Sequence, residues 1–127
     1  MYKKMQVEGV MAKPTARTLV IVSMALLGCS SVPSINGCKI EPNTQCPQAD
    51  LSGADLTMAI LAGADFEGAN LFNAHMPFAT LSGANLHGAN LEKAKLHRAN
   101  LSGVKYTANT QWPEGFDPEA AGAVLVK

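Results

Sequence analysis

From residue 49 onward the apolar positions of the chain recur every five residues. Alanine opens each unit and a larger apolar residue stands third: Ala-Asp-Leu-Ser-Gly at 49–53, Ala-Asp-Leu-Thr-Met, Ala-Ile-Leu-Ala-Gly, Ala-Asp-Phe-Glu-Gly, and so on to Val-Lys-Tyr-Thr-Ala at 104–108. Twelve such units follow one another without a slip of frame. The first position is Ala in eleven units and Val104 in the last, and the third is Leu in nine, with Phe66, Met76 and Tyr106 as the exceptions. A helix repeats about every 3.6 residues and a strand about every 2, so either would scatter a five-residue pattern over both of its faces. A chain that turns a corner every five residues keeps all of these side chains inside.

A second apolar segment has a different form. Leu19 to Leu27 is an unbroken run of nine residues, preceded by Lys13 and Arg17 and followed by the small residues Gly28, Cys29, Ser30 and Ser31. That is the three-part layout of a secretory signal, and it falls short of the roughly 20 residues that span a bilayer. A short buried helix fits less well, because Pro33 and Gly37 follow with no amphipathic continuation. Met1 and Met11 both serve as starts for such a leader.

Composition agrees with an interior of small side chains: there are 19 Ala and 13 Leu against one Trp, two Tyr and four Phe. The net charge of zero is a sum over unlike parts, +3 in residues 1–28 and −3 in residues 29–127. It removes the simplest electrostatic case for nucleic acid as a partner.

The sequence Leu26-Leu27-Gly28-Cys29 resembles the lipobox of bacterial lipoproteins. The resemblance implies cleavage before Cys29 and lipid on its sulfur and on its new amino terminus. Two or more acyl chains give a stable anchor where one binds only marginally. The partner so implied is a membrane, on the periplasmic side of the cell envelope, and Ser30 is similar to the residue of lipoproteins sent to an outer membrane in Gram-negative cells. With Cys29 lipidated, Cys38 and Cys46 remain as a pair in a compartment where disulfides persist. A bridge between them, free thiols and, least of all, a metal site are the alternatives the spacing leaves open.

Tandem Ala-(Asp/Asn)-Leu-x-x is similar to the pentapeptide-repeat family, and the resemblance covers residues 49–108. It implies an all-β fold, a right-handed quadrilateral β-helix with four units per coil and the first and third positions inside. Twelve units then make about three coils, some 14 Å tall at the usual strand spacing, closed by short N- and C-terminal caps. The interior columns become Leu51-Leu71-Leu91, Leu56-Met76-Leu96, Leu61-Leu81-Leu101 and Phe66-Leu86-Tyr106. The expected organisation is a leader at 1–28, a lipidated linker and disulfide-closed cap at 29–48, the repeats at 49–108 and a C-terminal cap at 109–127. In that last cap Trp112 and Phe116 are expected over the final coil, and Asp117-Pro118 is a helix-start signal with Gly122 as its stop.

Outside the coil, the first twenty repeat residues carry Asp50, Asp55, Asp65 and Glu67, and the last twenty carry Lys93, Lys95, Arg98 and Lys105 against Glu92. One corner is unusually apolar. Met58, Ile60, Phe72 and Phe78 are expected to form or border an interaction patch, because exposed apolar clusters mark contacts. His75, His87 and His97 lie among outward positions without a third ligand or a carboxylate cluster beside them. No nucleophile elbow or phosphate loop appears, since the glycines recur as corners. The expectation is therefore no enzyme, no cofactor, no metal and no small-molecule substrate. It is a lipid-anchored structural or protein-interaction module whose partner is an envelope protein or a second copy. The alternative is a DNA-mimicking pentapeptide-repeat protein that binds DNA gyrase or topoisomerase, a mode that calls for a long, acidic, cytosolic rod.

Overall fold

The computed structural model describes residues 32–127. The leader and Cys29 lie outside the described residues. Parallel bridges twenty residues apart set the architecture: Asp50 pairs with Asn70 and Asn70 with Asn90, Asp55 with His75 and His75 with Lys95, Ile60 with Thr80 and Thr80 with Asn100, and Asp65 with Asn85 and Asn85 with Lys105. Four columns of bridges make a coil of four faces, a β-helical solenoid with the period the repeat demands. Face 1 holds residues 49–53, 69–73 and 89–93, and faces 2, 3 and 4 follow at five-residue steps. Pairing lasts one residue per face before the chain turns, so these columns form single bridges and no closed sheet.

The interior matches the expected columns. The first- and third-position residues of units 49–93 are fully buried except Ala49, with Phe66 the largest. Leu96 in the last coil is only partly buried.

Hydrogen bonds explain the rest of the repeat. The third-position N–H of one coil donates to the second-position carbonyl of the next, as in Leu51 to Asn70 at 2.8 Å, and the second-position N–H donates back, as in Asn70 to Ala49 at 2.8 Å. The fifth-position N–H also reaches the next coil, as in Gly53 to Phe72 at 2.9 Å, while the first-position N–H closes the corner, as in Ala54 to Leu51 at 3.0 Å. Only the fourth-position N–H lacks a backbone acceptor. It donates instead to the Asp or Asn two residues earlier: Ser52 to Asp50, Thr57 to Asp55, Glu67 to Asp65, Phe72 to Asn70, His87 to Asn85, Glu92 to Asn90 and Ser102 to Asn100. The preference for Asp or Asn at the second position is thus an Asx turn repeated around the coil. The unit with His75 in that place has Pro77 fourth, which has no N–H to satisfy.

Both ends join the ladder as well as covering it. At the start, β1 (Ser34–Ile35) pairs antiparallel with β2 (Cys38–Lys39). Asn36 and Gly37, at φ 51° and 85°, form the two-residue loop, and two positive φ values in succession define the hairpin turn that Asn-Gly favours. Ile35, Cys38 and Ile40 are buried. The cap is tied by a Cys38–Cys46 disulfide, Cα–Cα 5.6 Å. Gln45 then bridges Asp65, so the ladder begins before residue 49.

At the other end, Gln111 bridges Asn90, one residue out of the twenty-residue step. Thr110 absorbs that extra residue: its buried hydroxyl donates to the Leu86 carbonyl at 2.8 Å and accepts the N–H of Gly88 and of Thr107, each at 3.1 Å. Trp112 then stands edge-on to Tyr106 and stacks on Phe116. The Asp117 carboxylate accepts the N–H of Glu119 and Ala120, and the single turn it caps ends at Gly122, φ 95°. β3 (Lys105–Tyr106) finally pairs in parallel with β4 (Val124–Leu125).

Candidate functional site

Eleven of the twelve repeat units place their fifth residue at positive φ, Ala108 in the last being the exception, and there a side chain costs about 1 kcal/mol relative to glycine. The repeat nevertheless fills its corners unequally. Between faces 3 and 4 the column is Gly63, Gly83 and Gly103 throughout, whereas between faces 2 and 3 it is Met58, Phe78 and Arg98, at φ 61°, 62° and 57°. Face 3 is therefore bordered by a ridge on one side and by a glycine strip on the other, open at Gly83 and overlain at Gly63 by the Asn43 side chain.

The ridge is apolar where it is lowest. Met58 is 62% exposed and Phe78 52%, one directly above the other, with Ile60 at 44% on the adjoining face. The N–H of Met58 donates to the Pro77 carbonyl at 3.0 Å, which fixes the two corners in register. Phe78 is braced edge-on by His97, ring centroids 5.7 Å apart. Phe72 is placed elsewhere: it belongs to face 1, is half-buried and lies under the Lys93 ammonium, 5.6 Å from its ring centre. Three of the four expected patch residues share one corner, and a whole face separates Phe72 from Phe78.

Face 3 itself presents Ile60, Thr80 and Asn100 along its centre, and Ala62, Ser82 and Ser102 beside the glycine strip. It has no ionisable side chain. Each other face has several: Asp50, Glu92 and Lys93 on face 1, Asp55, His75, Lys95, His97 and Arg98 on face 2, and Asp65, Glu67, His87 and Lys105 on face 4. Composition alone hides this neutrality. The signal was present as three glycines spaced by twenty residues, and it becomes a surface only once the coil is four units long.

The remaining chemistry is sparse. His87 Nδ1 lies 4.0 Å from the Glu67 carboxylate, and His75 and His97 are exposed. Among the described residues no group of three or more His, Cys, Asp or Glu stands close enough to hold a metal ion. A shallow open depression of about 440 Å³ lies against the N-terminal cap, lined by Lys39, Glu41 and Thr44 among others.

Residues 49–88 and 69–105 match the family model described as Pentapeptide repeats, in eight copies. No curated protein matches the chain. Among solved structures it is similar to the pentapeptide repeat protein Rfr23 from the cyanobacterium Cyanothece 51142, at 30% identity and TM-score 0.47, over 56% of this chain and 62% of that one. It is also similar to alr5209, a pentapeptide repeat protein from Nostoc Pcc 7120, at 35% identity and TM-score 0.31, over 65% and 76% of the two chains. HetL from Nostoc sp. strain PCC 7120, a pentapeptide repeat protein involved in heterocyst differentiation regulation, is 22% identical with TM-score 0.37, over 65% of this chain and 55% of that one. The chain thus spans less than two thirds of the length of Rfr23 and of HetL.

Proposed function

We propose that this chain, whose segment 49–105 belongs to the pentapeptide-repeat family, is a non-enzymatic, lipid-anchored structural or protein-interaction module of the bacterial cell envelope. In this proposal Cys29 carries the lipid, and the solenoid, wound with the right hand that the family resemblance implies, presents a rigid surface at the membrane. The observation that carries it is the Cys38–Cys46 disulfide, whose first cysteine stands nine residues after Cys29, the residue that directly follows a leader ending in Leu27-Gly28. Disulfides persist in exported proteins and are rare in reducing cytosol, so the bond and the leader support the same compartment from separate parts of the chain. The DNA-mimicking alternative draws no support from the surface, where bases in the last coil oppose acids in the first.

The test is chemical. Mass spectrometry of the mature protein is expected to find an acylated Cys29 as the first residue, and cell fractionation to find the protein with membrane. Cys29→Ser is expected to abolish acylation and leave the leader uncleaved by the lipoprotein route. Unprocessed protein in the cytosol overturns the proposal.

A further inference from the structure

Deepening the interaction role just described, and resting on it, we propose that face 3 is the surface through which a second copy of this chain docks, in parallel, about a two-fold axis running along the solenoid axis. The exposed apolar ridge of Met58, Phe78 and neighbouring Ile60 is what calls for a partner, because large exposed apolar side chains gathered at one place mark contact surfaces. The identity of that partner follows from charge and shape.

In an isologous pair the same residues meet from both sides. Two copies related by an axis parallel to the stack meet at equal height, so a charge on the axis meets itself. Faces 1, 2 and 4 all place ionisable residues at their centres: Asp50 on the first, Asp55 and Lys95 on the second, Asp65 and Lys105 on the fourth. Face 3 places Ile60, Thr80 and Asn100 there. It is the one face of the repeat on which identical copies meet without opposing like charges.

The same axis reverses left and right across the face while preserving height. The ridge of each copy is thereby carried over the strip of the other: Phe78 faces the level of Gly83 and Arg98 that of Gly103, while Met58 faces Gly63, where the exposed end of the Asn43 side chain lies. Gly83 has open space where a side chain would stand, so Phe78 of the partner subunit meets no obstruction. An axis across the stack would instead set ridge against ridge and hold the faces apart. The parallel arrangement also leaves both N-terminal caps at the same end, so two anchors reach one membrane.

The face is small. A three-coil stack about 14 Å tall buries less than the roughly 800 Å² per partner of a standard stable interface. Pairing is accordingly weak in dilute solution and is favoured where anchoring raises the effective concentration.

Thr80 lies at the middle of the face, next to the axis. Thr80→Lys and Thr80→Glu each set like charges against each other, so either variant alone is expected to be monomeric by sedimentation at millimolar concentration, where the unaltered chain dimerises. An equal mixture of the two is expected to restore the dimer, and Phe78→Ser to weaken it several-fold. The measurements use the full chain carrying Cys29→Ser, so their outcome does not depend on acylation, which is scored separately. A monomeric unaltered chain overturns the proposal and leaves the ridge to a foreign protein. Dimers that persist in the Thr80→Lys chain, or a mixture that stays monomeric, overturn it equally.

Discussion

Asp55 Oδ1 accepts two hydrogen bonds from Thr57, one from the backbone N–H at 3.1 Å and one from the hydroxyl at 2.6 Å. The carboxylate thereby satisfies the one backbone donor that the coil leaves over in each unit. Its role is that of a helix N-cap transplanted to a solenoid corner, and a cap of this kind contributes about 1 kcal/mol. Asp55→Ala should destabilise by that amount in chemical denaturation, while Asp55→Asn, which keeps the accepting oxygen, should be close to neutral. The converse holds on face 3. The Ser82 N–H has no acceptor among the described residues, and Thr80→Asn supplies one, so this variant should raise the melting temperature by several degrees. An unaltered midpoint for both Asp55→Ala and Thr80→Asn would remove the cap from the account.

Corner conformation makes a prediction of opposite sign at neighbouring columns. Gly83 sits at φ 71° with open space around its missing side chain, so Gly83→Ala costs only the left-handed conformation, about 1 kcal/mol. At Gly63 the flexible end of the exposed Asn43 side chain occupies the volume a Cβ would take and can turn aside into solvent, so Gly63→Ala should cost little more than Gly83→Ala. Phe78→Gly should stabilise, because the ring is half-exposed and the strain at φ 62° is relieved. For a domain of this size 1 kcal/mol corresponds to roughly 4–8 °C, so thermal melts resolve all three.

Burial grades the interior. Leu71 is fully buried in the middle coil, with Leu51 and Leu91 below and above it, and Leu71→Ala should cost about 2–5 kcal/mol. Leu96 holds the same repeat position but is only partly buried, because the C-terminal segment swings from Gln111 on face 1 to Val124 on face 4 without laying a strand across face 2. Leu96→Ala should cost clearly less. Equal losses at the two sites would mean that the tail covers face 2 in solution.

The contrast between Leu71 and Leu96 also shows how far the sequence reached. A five-residue period is a statement about which side chains point inward, and Leu51, Phe66 and Met76 stand where it put them. The pairing of Asp50 with Asn70 follows from the same arithmetic once four units make a coil. Trp112 over Tyr106 was legible because an open solenoid end needs an apolar cover. The Asx turns are not legible in the sequence, because a surplus N–H becomes visible only when every other hydrogen bond has been assigned. The Asn36-Gly37 hairpin carries its own signal, since Asn-Gly between short strands favours a two-residue turn with both φ positive. Phe72 stands on face 1, a whole face away from the Phe78 corner, so it lies outside the ridge that Met58, Ile60 and Phe78 form.

The N-terminal cap depends on its crosslink. Cys38 and Cys46 close a nine-residue segment, and chain entropy assigns such a loop about 2.5 kcal/mol. Ile35 and Ile40, buried beneath the hairpin, cover the lower end of the columns and leave with it. Reduction, or paired Cys38→Ser and Cys46→Ser, should lower the melting temperature by roughly 10 °C or more and expose apolar surface to a hydrophobic dye before global unfolding. Retention of the oxidised melting temperature under reductant would show that the hairpin holds by packing alone.

The C-terminal cap is sensitive to alkali. Burial in the last coil raises the Tyr106 hydroxyl above its ordinary 10.0, and the Glu119 carboxylate adds to the effect by charge and by accepting a hydrogen bond from that hydroxyl at 3.5 Å. A phenol with a higher pKa in the folded state holds its proton more tightly there than in the unfolded chain. Its contribution to stability is therefore complete below about pH 10 and is lost as the pH rises through the folded value. Glu119→Gln should bring the phenolate absorbance of Tyr106 to lower pH, and Tyr106→Phe should flatten the fall in melting temperature expected of the unaltered chain above pH 10. The neighbouring Asp117 raises the hydroxyl in the same direction, so Asp117→Asn should shift the titration less than Glu119→Gln does. If the two variants shift it equally, the hydrogen bond from Tyr106 to Glu119 has no special part in holding the tail to the coil.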